Sequence, residues 1–184
     1  MAKKKSAGIL MYRVRESGLE VLLVHPGGPF WAKKDEGSWS IPKGEFEEGE
    51  DPLSTAKREF QEETGFLVEG NFITLTPLKQ PSGKLVYAWG IKGDCDAEAI
   101  KSNMFSMEWP PRSGKRQEFP EVDRAGWFTL EVAKEKILTG QAGFLEELRP
   151  MVESDLAARN SQTGGQNLLS EPTAKKPEQR SLFD

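Results

Sequence analysis

The stretch from Gly44 to Phe66 constrains this chain more than any other, because it specifies one helix and crowds three carboxylates onto its edge. Asp51 suits an N-cap, Pro52 the first helical position and Gly65 the left-handed residue that ends a helix, so Pro52 to Thr64 reads as a single helix. Leu53, Ala56 and Phe60 recur at intervals of three and four and form a stripe able to pack on a sheet. At about 100° per residue, Glu59, Glu62 and Glu63 cluster on a flank roughly a quarter-turn away. Like charges four apart, as at Glu59 and Glu63, destabilise an isolated helix by roughly 0.2–0.5 kcal/mol unless something positive sits among them. Hard divalent cations take oxygen ligands and commonly combine carboxylates with substrate phosphates and water. Taken alone, the flank reads either as a solvated acidic face or as a platform for such an ion.

The full run decides between these. It begins Gly44-Glu45-Phe46-Glu47-Glu48-Gly49-Glu50, continues through the seven residues Asp51 to Lys57, and ends Arg58-Glu59-Phe60-Gln61-Glu62-Glu63-Thr64-Gly65-Phe66. This pattern resembles the Nudix box at every defined position, and the chain is thereby similar to Nudix hydrolases, of the kind that act on oxidised nucleotides or dinucleoside polyphosphates. The resemblance implies an α/β fold, an α/β/α sandwich with a mixed β-sheet, in which the box is a loop, helix and loop. It further implies Glu59, Glu62 and Glu63 as metal ligands, joined by the backbone carbonyl of Gly44, and an ion pair of Glu50 with Arg58 that braces loop to helix. Glu59 and Glu62 are the catalytic candidates, with Glu59 as general base or as the ligand holding the attacking hydroxide. The implied ion is Mg2+, with Mn2+ as the alternative. Such an ion would neutralise a diphosphate, orient it and help ionise a water. The implied activity is hydrolysis of a diphosphate linkage in a nucleotide-type substrate. The alternative is a non-catalytic Nudix-fold module that senses a nucleotide, although such modules usually lose box glutamates.

A later loop offers Glu118 and Glu121 ahead of the segment bearing Trp127, and Glu121 better matches the spacing of an additional metal-binding or basic glutamate in several Nudix branches. Trp39-Ser40-Ile41-Pro42-Lys43-Gly44 leads straight into the box, which places Lys43 beside the diphosphate site. This lead-in resembles enzymes acting on dinucleoside polyphosphates and diphosphoinositols, and some that cleanse oxidised nucleotides. The segment Trp109 to Gln117 is cationic and turn-rich, so Arg112, Lys115 and Arg116 are candidate substrate-binding residues. Trp31, Trp89, Trp109 and Trp127 read first as packing residues, with base stacking as the alternative.

The rest of the sequence is consistent with one globular unit. At 184 residues the chain matches a single domain, expected over 1–158, with a flexible tail over 159–184 rich in Ser, Gln, Gly, Pro and Lys. Gly8–Val14 and Leu19–Val24 read as a β-hairpin around Glu16-Ser17-Gly18. Further strands are expected near Phe72–Leu75, Lys84–Ile91 and Gly126–Leu130, with helices over Leu130–Leu138 and Phe144–Ala158. A net charge of -4 lacks the basic footprint of a surface that grips nucleic acid. One Cys and one His exclude an internal disulfide, a cysteine zinc cluster and a histidine-based zinc site. The basic start Met1–Lys5 is followed by too short an apolar run for a signal peptide, and no segment is long enough to span a membrane, so a cytoplasmic protein is expected. The terminal Gln179, Ser181, Leu182 and Phe183 resemble the peptide that docks bacterial replication proteins on the DNA sliding clamp, with Arg180 where Leu is usual.

Overall fold

The structure, a computed structural model, describes residues 4–164. Strands β1 (Lys5–Arg15) and β2 (Gly18–Pro26) form the expected antiparallel hairpin, with Tyr12 opposite Val21 and Arg15 opposite Gly18 at the turn. Strand β3 (Lys43–Phe46) pairs antiparallel with the start of β1, setting Gly44 opposite Ala7. Strands β4 (Phe72–Lys79) and β5 (Leu85–Lys92) form a second hairpin, and β5 runs parallel to β1. Strand β8 (Val122–Thr129) closes the other edge on β2, giving the order β4-β5-β1-β2-β8 with β3 attached to β1. The sheet is mixed, as expected.

Residues 6–12 of β1 are all buried, so both faces of the sheet are covered. On one face Ala7, Ile9, Met11 and Leu22 pack with Ala56 and Phe60 of helix α1 (Pro52–Thr64). On the other, Gly90 leaves room for Leu148 of helix α3 (Ala142–Gly164), whose Phe144, Leu145 and Leu148 are fully buried. Helix α2 (Leu130–Lys136) is shorter than its sequence pattern suggests. It stops because Ile137 is extended and bridges to Trp39.

The chain divides into a unit of residues 1–150 and a second from Met151. The division falls just after Pro150, a residue that cannot donate a helical hydrogen bond. The first residues of the expected tail, 159–164, are helical. Helix α3 runs on to Gly164, with Ser161 Oγ donating to the Ala157 carbonyl at 2.9 Å. The clamp-like peptide Gln179 to Phe183 lies outside the described residues. A hairpin not anticipated from the sequence, β6 (Met104–Glu108) with β7 (Arg116–Pro120), stands as a separate two-stranded sheet ahead of β8. No described helix is long and apolar enough to cross a membrane.

Candidate functional site

Local chemistry orients α1 before any site is formed. Asp51 Oδ2 accepts from the Ser54 amide at 2.8 Å and from the Ser54 hydroxyl at 2.7 Å, so the helix starts where the sequence predicts. Gly65 adopts φ 83° and donates its N–H to the Gln61 carbonyl at 2.7 Å, ending it. With Ala56 and Phe60 fully buried beneath, the flank bearing Glu59, Glu62 and Glu63 turns toward β3.

Two of these glutamates meet the strand that leads into them. The Glu59 carboxylate lies against the Cα of Gly44, where any Cβ would stand within 3.0 Å of its carbon and both its oxygens. Glu63 Oε2 accepts the backbone N–H of Lys43 at 3.1 Å. Burial pushes the Glu63 carboxyl up to about 8, opposed by the Lys43 ammonium and amide and reinforced by Glu59 and Glu121. Burial raises Glu59 as well, with Glu62 and Glu121 adding to the rise and Arg58 opposing it. Burial lowers the Lys43 ammonium, and the charge of Glu63 counters that.

Glu121, between β7 and β8, therefore acts electrostatically on both Glu59 and Glu63. Backbone hydrogen bonds place it. Asn103 donates its N–H to the Glu62 carbonyl, and Glu121 donates its N–H to the Asn103 carbonyl, each at 2.9 Å. The Glu121 carbonyl in turn accepts the Gly27 N–H at 2.9 Å. Asn103 thus ties the end of α1 to Glu121, a positioning role with no signature in residue type.

The result is an oxygen-only donor set in which burial and neighbouring carboxylates raise Glu59 and Glu63, suited to a hard divalent cation. Among the described residues, no three acidic, histidine or cysteine side chains are gathered closely enough to form a finished coordination shell. The fit rests on chemistry and on the Gly44 cradle: a carboxylate is seated directly over a main-chain carbonyl-bearing residue, in a cluster with excess negative charge.

Residues 2–148 match the NUDIX domain family model. The chain belongs to the Nudix hydrolase family. A stretch of 41 residues is 49% identical to Nudix hydrolase 25 of Arabidopsis thaliana, covering 22% of this chain and 23% of that protein. The fold is similar to a Caenorhabditis elegans Ap4A hydrolase in a binary complex (TM-score 0.57, 21% identity, covering 81% of this chain and 98% of that one). It is also similar to the NUDIX domain of Shewanella oneidensis NrtR complexed with ADP ribose (TM-score 0.55, 16% identity, 83% and 90% covered). A mutT/nudix family protein from Listeria innocua gives TM-score 0.57 at 17% identity, with 86% and 99% covered. At these identities the structural likenesses speak for the fold, and they bear out the sandwich and mixed sheet expected from the Nudix box.

Other residues of this Nudix protein fall differently from expectation. The Glu50–Arg58 ion pair is not formed among the described residues. Glu50 instead closes its own turn, accepting the Glu47 N–H at 2.7 Å, while Arg58 pairs with Glu59 at 3.2 Å. Arg58 is half exposed and Glu59 nearly covered, so the guanidinium caps the carboxylate from the solvent side. Arg116 is committed to its own hairpin, donating from Nε to Ser106 Oγ at 3.1 Å and from Nη2 to the Ser106 carbonyl at 2.9 Å. Arg112 and Lys115 at the hairpin tip are exposed and make no ion pair among the described residues. Glu118 lies mid-strand opposite Ser106, also exposed. Trp89 and Trp127 pack against the core, whereas Trp31 and Trp109 sit on surface loops. Burial pushes the Cys95 thiol up to about 11, which makes it a poor nucleophile.

Proposed function

We propose that this Nudix protein is a divalent-metal-dependent pyrophosphohydrolase that cleaves a diphosphate linkage in a nucleotide-type substrate, such as a dinucleoside polyphosphate or an oxidised nucleoside triphosphate. The observation that carries the reading is the Glu59 carboxylate seated on Gly44, with Glu63 buried against the next residue of the same strand.

In this reading Glu59, Glu62, Glu63, Glu121 and the Gly44 carbonyl hold Mg2+, with Mn2+ as the alternative. When bound, the ion supplies charge neutralisation at the diphosphate and a more acidic water. The protein's own part is to orient and to accept a proton. Water oxygen bonds to phosphorus, the bridging P–O bond breaks with its electron pair leaving on the departing phosphate, and the water proton passes to a carboxylate. Glu59 suits that proton, because burial already raises its affinity for one. Lys43 stands beside Glu63, and Arg112 and Lys115 have charge to offer phosphate oxygens.

The test is a substrate panel of dinucleoside tetraphosphate, 8-oxo-dGTP, ADP-ribose and diphosphoinositol phosphate, run with Mg2+ beside the Glu62→Gln variant. Turnover of at least one nucleotide that is lost in the variant supports the reading. Nucleotide binding with no hydrolysis across the panel would make the chain a sensing module instead.

A further inference from the structure

Phe30 is 57% exposed, an unusual place for a phenylalanine, and its ring meets Trp109 edge to face at 5.4 Å and 83°. The two residues come from different elements, the loop after β2 and the turn of the β6–β7 hairpin, so their meeting is a product of the fold. We infer that Phe30 and Trp109 form a stacking edge for the base of a nucleoside polyphosphate whose diphosphate lies at the glutamate cluster. This inference rests on the hydrolase reading and names the residues that bind the base of its nucleotide-type substrate.

Three features support it. The loop is seated on the site itself. Gly27 donates its N–H to the Glu121 carbonyl, and a Cβ at Gly27 would collide with the Pro120 carbonyl, so only glycine allows this approach. At Gly28, with φ 91°, a Cβ would stand 3.0 Å from the Phe105 ring. Phe30 follows Gly27 by three residues, at most about 11 Å of chain, within reach of a sugar and base attached to a phosphate beside Glu121.

The loop is also held at its far end. His25 Nε2 donates to the Lys34 carbonyl at 2.7 Å, His25 Nδ1 lies 2.8 Å from Asp123 Oδ1, and Trp39 Nε1 donates to Asp35 Oδ1 at 2.8 Å. Phe30 is therefore presented on an anchored loop, which reduces the ordering cost of binding. Third, the charge is complementary to a polyphosphate. Arg112 and Lys115 are exposed beside Trp109, and Lys34 sits 4.6 Å from the centre of the Trp31 ring. An aromatic pair with cations, on a loop hydrogen-bonded to Glu121, suits a nucleotide better than a diphosphoinositol, which has no aromatic ring to stack.

The experiment measures binding of the full chain by calorimetry with Mg2+, using α,β-methylene-ADP as the nucleotide and methylenediphosphonate as the same diphosphate without a base. Phe30→Leu keeps apolar bulk and removes the ring; Phe30→Trp keeps a ring. Loss of one stack should raise the nucleotide Kd about tenfold or more in Phe30→Leu and in Trp109→Leu, leave methylenediphosphonate unmoved, and be restored in Phe30→Trp. An unchanged nucleotide Kd in both leucine variants would overturn the inference and leave the exposed pair to a protein partner. So would a wild type that binds the nucleotide no more tightly than methylenediphosphonate. Absence of hydrolysis across the nucleotide panel would instead defeat the hydrolase reading, a result independent of the binding comparison.

Discussion

The Glu59 carboxylate occupies the space that a side chain on Gly44 would fill, so the strand before the helix and the acid on the helix are fitted to one another. A Cβ at residue 44 must displace either Glu59 or β3, and β3 is held by its pairing with β1. Gly44→Ala should therefore fold and lose catalysis. A displacement of about 1 Å at such a site costs on the order of 100-fold in rate. Steady-state kinetics beside circular dichroism checks this; native-like turnover in a folded Gly44→Ala would show that the Glu59 position is not critical.

Glu63 gives the metal-free protein a specific pH dependence. Its carboxyl titrates at about 8 in the folded chain, well above the ordinary 4.5, because burial disfavours the charge. A raised folded pKa means that the contribution to stability is complete below about pH 4.5 and is lost as pH climbs through about 8. Thermal unfolding of metal-free protein should show Tm falling between about pH 5 and pH 8 and levelling above that, and Glu63→Gln should flatten the fall. An identical pH slope in wild type and variant would mean that Glu63 is not the group responsible. Adding a divalent cation at pH 7 should release a proton, seen as a buffer-dependent heat in the wild type.

What could be read from the sequence was chemistry expressed by neighbouring residues. The bounds of α1 follow from Asp51, Pro52 and Gly65, whose effects reach no further than a turn of helix. The clustering of Glu59, Glu62 and Glu63 is likewise a matter of helical period. The β6–β7 hairpin escaped because β6 alternates exposed and half-buried residues with no fully buried face, and so carries a weak period. Glu50 was expected to reach Arg58, yet a nearer donor, the Glu47 amide, satisfied it within its own turn. Asn103 could not have been found, because it works through its backbone N–H and carbonyl, which every residue but proline possesses.

Glu121 stands near enough to raise both Glu59 and Glu63, which separates it from Glu118 on the same loop-and-strand segment. Glu121→Gln preserves shape and removes the charge. It should cut kcat by about 100-fold or more if the carboxylate serves the ion or the proton, with KM changing far less. Glu118→Gln, on an exposed strand position, should stay within about twofold, as surface changes usually do. Equal, small effects of the two substitutions in parallel assays would remove Glu121 from the site.

The three cations of the hairpin should behave differently from one another, although the sequence groups them. Arg112 and Lys115 are exposed with no ion pair among the described residues, so each is available to a phosphate group. Arg112→Ala and Lys115→Ala should raise KM several-fold, with an effect that shrinks as salt screens the contact. Arg116 already holds Ser106 through two hydrogen bonds that join β6 to β7. Its replacement should act through the hairpin, costing about 1 kcal/mol for a lost exposed hydrogen bond and loosening the frame that carries Trp109. Hydrogen exchange over residues 104–120 distinguishes the two roles. Faster exchange in Arg116→Ala, with wild-type exchange in Arg112→Ala and Lys115→Ala, is the expected pattern; a salt-sensitive KM effect in Arg116→Ala without faster exchange would place its guanidinium on the substrate instead.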